Sequence, residues 1–154
     1  MSATYTFNAQ EIYDIHYVAI YRGLKRFIVI IQNDLRDKLS QEGTGRQYVI
    51  NKSGTVHTAS APGEPPAVNT RLLRDSVVSA PVIEKTSRDE IEMRLTDFAP
   101  YAAALERGTS DGRLKPRPWV KPVLNDRKPE LKSFLEKSIS NAMKRATLKK
   151  TKKV

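Results

Sequence analysis

Residues 59–70 read ASAPGEPPAVNT, and no helix or ladder strand can run through them. Pro62, Pro65 and Pro66 each fix φ and remove a backbone donor, and each pushes the residue before it towards extended geometry. The stretch predicts a stiff, polyproline-like arm over residues 58–69 with one flexible joint at Gly63. Few of its side chains are reactive, which suits a shaped connector rather than a catalytic centre. The regular elements of the chain must be organised on either side of it.

Upstream, apolar residues recur at Tyr13, Tyr17, Ile20, Leu24, Phe27, Ile28, Ile31, Leu35 and Leu39. These steps of three and four paint one face of a helix from about Asn8 to Glu42. Asn8 is placed to cap it, Glu11 completes the capping-box spacing, and Gly43 and Gly45 stop it. At about 1.5 Å per residue the helix spans roughly 50 Å, more than one small core can cover. Part of its apolar face is therefore expected to meet a neighbouring subunit. Gly23 weakens the helix by about 1 kcal/mol relative to alanine and marks a candidate bend. Beyond it, Gln47–Asn51 and Thr55–Thr58 flank the turn-forming Lys52–Gly54 and predict a short hairpin.

Downstream of the arm, Thr70 is placed to cap a short helix over Arg71–Val77, with Leu72, Leu73, Ser76 and Val77 turned inwards. A second hairpin is expected from Val78–Lys85 and Glu90–Asp97 across the polar turn TSRD. In its second strand Ile91, Met93 and Leu95 alternate with Glu90, Glu92, Arg94 and Thr96, the period of a half-buried antiparallel sheet. PYAAALERG then predicts a short helix with Pro100 in its first turn and Gly108 at its end. A loop over residues 108–122 leads to a final helix on which Leu131, Phe134, Leu135, Ile139, Ala142, Met143 and Ala146 form one stripe. Residues 149–154 form a basic tail, expected to order only against something negative. The fold class is α+β: one domain over residues 1–148, with a long N-terminal helix and a C-terminal helix on a small antiparallel sheet.

The chain carries 27 Lys and Arg against 17 Asp and Glu, a net charge of +10, with a sequence pI of about 9.9. That balance points to a polyanion or an acidic protein surface as a neighbour. With no cysteine, disulfides, thiolate metal sites and cysteine nucleophiles are excluded, in agreement with a reducing cytosolic origin. The first residues, MSATYTFNAQEIYD, do not read as a signal peptide, and the longest apolar run, Phe27–Ile31, is far short of the roughly 20 residues of a membrane-spanning helix.

Chemistry is scarce. His16 and His57 are far apart in the sequence and belong to no metal-ligand spacing. Glu84, Glu90, Glu92, Asp97 and Glu106 are candidates for a nuclease-like carboxylate cluster, but on elements of this pattern solvated carboxylates are commoner. GTGR at Gly43–Arg46 lacks the lysine and hydroxyl of a nucleotide loop. The expectation is a protein that is not an enzyme and needs no metal or cofactor. Lys144, Arg145, Lys149, Lys150, Lys152 and Lys153 are candidates for sequence-tolerant phosphate contact, or simply a solubilising end. In PRPW, Pro116–Trp119, the tryptophan is read as an anchor that pins its loop to the core or to a partner subunit.

Two stretches taken together carry a resemblance. Ser60, Pro62, Gly63, Pro66, Thr70, Leu73 and Ser76 fit the pattern S-x-PGxxPxxxTGxLxxS; Tyr101, Ala102, Glu106, Gly108 and Thr109 fit YAxxxExGT; Arg117, Pro118, Pro122 and Leu124 fit RPFxxPxL. This order over residues 54–125 resembles the tail-component family of long-tailed bacteriophages, described as minor tail, tail-completion or neck proteins. Arg71 stands where that pattern has glycine, and arginine resists positive φ; Trp119 replaces phenylalanine and keeps an aromatic anchor.

The resemblance implies a structural virion protein assembled in the host cytoplasm. It would form a homo-oligomeric ring, expected to be a hexamer, at the head-tail junction between the tail terminator and head-completion proteins, with genomic DNA passing through. In such a ring Pro62, Gly63, Glu64, Pro65, Pro66, Arg71, Arg113, Lys115, Arg117 and Trp119 are the expected subunit contacts, and the basic C-terminal residues are candidates to line the lumen. Prolines in the arm lower the ordering cost of binding. Two other classes stay open: a small basic nucleic-acid-binding protein, and a small enzyme such as a nuclease.

Overall fold

The structure is a computed structural model and describes residues 7–69, 71–79, 82–87, 90–95 and 98–151. The fold is α+β. Its elements run α1 (Ala9–Lys38), β1 (Gln47–Val49), β2 (Val56–Thr58), α2 (Leu72–Ser79), β3 (Val82–Thr86), β4 (Ile91–Leu95), α3 (Ala102–Arg107) and α4 (Val120–Thr151). The chain divides into two compact units, one of Met1–Ile28 with Pro129–Val154 and one of Val29–Lys128.

α1 starts with the capping box that its sequence predicts. The Asn8 side chain accepts from the Glu11 backbone N–H at 2.7 Å, and the Glu11 carboxylate accepts from the Asn8 N–H at 3.2 Å. The helix ends at Lys38, ahead of the glycines expected to stop it. Ser40 closes its last turn by donating its hydroxyl to the Arg36 carbonyl at 2.8 Å.

In the first unit, α1 and α4 approach closely. A Cβ added to Gly23 would sit 2.9 Å from a Leu135 methyl and 3.1 Å from the Ser138 hydroxyl. The glycine expected to mark a bend is therefore a point of close approach, and Phe27 meets Phe134 in the same unit at 5.4 Å between ring centroids. Ile12, Tyr13 and Val18 stay exposed here, although Tyr13 belongs to the apolar stripe.

The second unit holds the main core, built from Leu35 of α1 and Leu39 just beyond it, Leu73 and Val77 of α2, Ala99, Ala102 of α3, Trp119, and Val123 of α4. Leu95 of β4, Phe98 and Leu105 pack against it. Arg127 donates its Nε–H and an Nη2–H to the two oxygens of Asp34, at 2.5 and 3.1 Å, and Gln32 donates to the Val77 carbonyl at 2.7 Å. The strands form two separate antiparallel hairpins, with Tyr48 opposite His57 in one and Glu84 opposite Met93 in the other. Asn51 organises the first turn, accepting from the Thr55 N–H at 2.9 Å and from the Ser53 hydroxyl at 2.8 Å.

Four expectations change. Val78 and Ser79 continue α2 instead of opening a strand, because the helix extends past Val77. Leu72, expected inside, is 54% exposed, since Leu73 and Val77 occupy the buried face. α4 begins at Val120, inside the expected loop, and it runs through Thr151, so Lys149 and Lys150 are helical rather than tail. Thr70, Thr96, Asp97, Lys152 and Lys153 lie outside the described residues.

The proline-rich segment is held against its own unit. The Glu64 carboxylate accepts from the Thr44 hydroxyl, from the Ala61 N–H at 2.9 Å and from the Thr44 N–H at 3.2 Å. The Thr44 hydroxyl bond, followed by the two N–H bonds, holds the Glu64 carboxyl below its ordinary range. A carboxyl lowered in the folded state adds stability above its unfolded pKa and loses that contribution as pH falls through its folded value. As pH falls through the lowered Glu64 value, the protection factors of the Thr44 and Ala61 amides, measured against their intrinsic exchange at each pH, are expected to fall. In Glu64→Gln the same protection factors are expected to be low already at neutral pH and nearly independent of pH.

Candidate functional site

The two sequence segments that stand out by pattern, residues 57–77 and 101–124, come together in the second unit. Their meeting point begins with Gly63, whose N–H donates to the Pro116 carbonyl at 2.9 Å. The Arg117 N–H donates to the Leu105 carbonyl at 2.8 Å. Prolines at both places hold extended backbone with few competing donors, which leaves their carbonyls available to a partner segment.

Glu106 completes the join. α3 carries it to the start of α4, where one carboxylate oxygen accepts from the Trp119 and Val120 N–H groups at 2.7 and 3.0 Å and the other from Lys121 at 3.0 Å. Those are the orphan donors of a helix start, and a carboxylate there also meets the positive end of the helix dipole. This cap explains why α4 begins at Val120, with Pro122 in the first turn, where proline costs no hydrogen bond. Beside it Trp119 is fully buried and meets Phe98 edge-on at 5.7 Å.

Gly108 ends α3 with φ of +78°, its N–H bonded to the Ala104 carbonyl at 2.8 Å. A Cβ there would lie 2.7 Å from the Leu114 carbonyl oxygen, so only glycine lets the loop fold back. The loop is then closed by Thr109, which donates its N–H to Leu114 at 3.0 Å and its hydroxyl to Asp111 at 2.5 Å. The Thr109 hydroxyl, with the Arg113 N–H behind it, lowers the Asp111 carboxyl below its ordinary range.

On the other segment, Ser76 bridges α2 to the residues before α3. Its hydroxyl donates to the Leu73 carbonyl at 2.6 Å and accepts from the Ala99 N–H at 3.1 Å. Arg71, just ahead of α2, has φ of +63°, the left-handed region that glycine enters freely.

The expected contact residues separate by burial. Pro62, Gly63, Arg71, Arg113 and Lys115 are exposed, Glu64, Pro65 and Arg117 are half-buried, and Pro66 is buried. Trp119 is a core anchor with no exposed surface, so the alternative of a partner-facing tryptophan is corrected: its ring fills the space between Phe98 and the start of α4. Arg113 pairs with Asp111 at 3.3 Å on the surface. Lys144, Arg145 and Lys149 are exposed on α4 in the first unit, and Lys150 lies on the same helix. Two structural residues escaped sequence reasoning: Asp34 with its Arg127 partner, and Glu106 as a cap. Nothing in the periodicity marks the first, while the second lies in a motif but entered the sequence reading as a candidate of a carboxylate cluster and not as a helix cap.

Among the described residues, no group of three or more His, Asp or Glu side chains is arranged to hold a metal, and no helix is long and apolar enough to cross a membrane. Compared with known proteins, the chain matches no family model, no curated protein and no solved structure.

Glu106→Ala leaves three helix-start donors without their acceptor and is expected to lower unfolding stability by about 1–2 kcal/mol, read from the denaturant midpoint. Arg71→Gly acts in the opposite direction. Relief of a left-handed arginine is expected to raise stability by up to about 1 kcal/mol, offset in part by glycine's larger unfolded freedom.

Proposed function

We propose that the chain is a structural protein of a bacteriophage virion. In this reading it is a tail-completion or neck component that forms a ring at the head-tail junction, between tail terminator and head-completion proteins. The observation that carries the reading is that residues of the resembling pattern make the contacts that close its separate segments on one another. Gly63 bonds Pro116, Ser76 bonds Ala99, Glu106 caps the helix begun at Trp119 and Val120, and Gly108 permits the loop between them. Arg71 adds support, because its backbone takes the glycine-like conformation where the pattern has glycine.

A ring of this kind needs contact surfaces more than chemistry. The exposed Pro62–Gly63 turn and the Arg113–Lys115 loop present rigid backbone, which reduces the ordering cost of association. Lys144, Arg145 and Lys149 are the described candidates for contact with passing DNA, as sequence-independent phosphate neutralisation.

A second reading, a small nucleic-acid-binding protein, is favoured by a groove of about 870 Å³ in the first unit that gathers Arg22, Arg26, Lys137, Arg145 and Lys149 with Asp14 as its carboxylate. The mass of the chain in solution at low and high salt, with negative-stain imaging, separates the two. Rings with a central hole that persist at high salt are the expected outcome. A chain that stays monomeric, binds duplex DNA at low salt and releases it at high salt would move the assignment to the second reading.

A further inference from the structure

The second unit contains a cleft of about 400 Å³ between the proline-rich segment, the start of α2 and α3. Arg71, Arg74, Arg117 and His57 line it, and among the described residues no carboxylate does. Arg74 is shared with Asp75 at 3.4 Å. The guanidinium of Arg71 has no ion pair or hydrogen bond among the described residues, and that of Arg117 has none either, although its Nε is shut away from solvent. A guanidinium held beside an open cleft without a carboxylate gains charge-assisted hydrogen bonds once an oxyanion accepts from its accessible N–H groups.

The other half of the cleft is apolar. Leu39, Leu73 and Leu105 form part of its wall, while Leu72 and Tyr101 stay 54% and 40% exposed at it. Leu72 is the residue that periodicity places inside and the structure places here. An occupant must therefore bring an oxyanion and an apolar group together. A phosphate backbone meets only the first demand; a polypeptide in which acidic and apolar side chains alternate meets both.

We propose that this cleft is a docking site for an acidic segment of a neighbouring polypeptide, with a carboxylate taken by the Arg117 and Arg71 guanidinium groups and an apolar side chain placed against Leu72 and Tyr101. The proposal deepens the assembly reading by giving one of its protein contacts a chemistry, and it rests on that reading only for the partner's identity. The forked guanidinium of arginine matches a carboxylate in two-point geometry, which lysine does not reproduce. Selection between partners then follows from charge: a basic or neutral segment would leave the Arg71 and Arg117 guanidinium groups facing the cleft without a counter-charge.

The test uses the full chain in whatever oligomeric state it adopts. Three probes are titrated: the blocked peptide acetyl-Leu-Glu-Leu-Glu-amide, its Gln counterpart, and inorganic phosphate. The readouts are calorimetry and the Arg117 Nε–H resonance. The expected result is a shift of that resonance by the Glu peptide, with about tenfold tighter binding than the Gln peptide, the size of a charged hydrogen bond. Arg117→Gln and the exposed Arg71→Gln are each expected to abolish that preference, while Arg113→Gln, outside the cleft, keeps it; Arg71→Gln remains informative if Arg117→Gln does not fold. Equal binding of both peptides, an equal shift by phosphate alone, or no shift by any probe overturns the proposal. Failure of ring formation with peptide binding intact would instead count against the assembly reading alone.

Discussion

The Glu106 carboxylate holds the N–H groups of Trp119, Val120 and Lys121, and the second unit is arranged around that contact. It sets where α4 starts and fixes α3 against that start. It also seats Trp119 on Phe98 inside the core made by Leu35, Leu39, Leu73 and Val77. Between Glu106 and Trp119 the chain must then turn back within a short loop, and Gly108 and Thr109 supply the backbone and hydroxyl geometry for it. A carboxylate at a helix start is favoured both by hydrogen bonding and by the helix dipole, so one side chain does the work of several weaker loop contacts.

The two units depend on different physics. In the first, two helices meet through the missing side chain of Gly23 and the Phe27–Phe134 pair, so close packing decides the contact. In the second, short elements are joined by side chains that bond backbone: Glu64 to Thr44 and Ala61, Ser76 to Ala99, Glu106 to α4. Such elements bury too little surface each to hold a position alone, and satisfied polar joints make up the difference. Pro129, where α4 passes from one unit to the other, supplies no N–H to the helix ladder.

The surface left by this arrangement is basic and in part apolar. Its cations stand on the helices and on tied loops, the apolar residues Ile12, Val18 and Leu72 stay exposed, and the carboxylates with a clear task are structural. The proline-rich segment belongs to this logic. Glu64 and the Gly63–Pro116 bond hold it in place, so any partner meets a preformed loop and little ordering entropy is lost on contact.

Where local rules act, the residues alone were enough. Asn8 and Glu11 form the capping box their spacing announces, the β1–β2 hairpin and the strand β4 lie where alternation and turn residues put them, and Gly108 ends α3. These outcomes follow from contacts within a few residues, which a sequence displays directly. Tertiary structure decided the rest. Leu72 faces out because Leu73 and Val77 take the buried side, Gly23 admits a neighbouring helix, and α4 starts early because a carboxylate 13 to 15 residues upstream reaches its first donors. The Arg71, Arg74 and Arg117 cleft is of the same kind: its members are brought together by packing and bonds between distant segments, a pairing that periodicity along a chain does not encode.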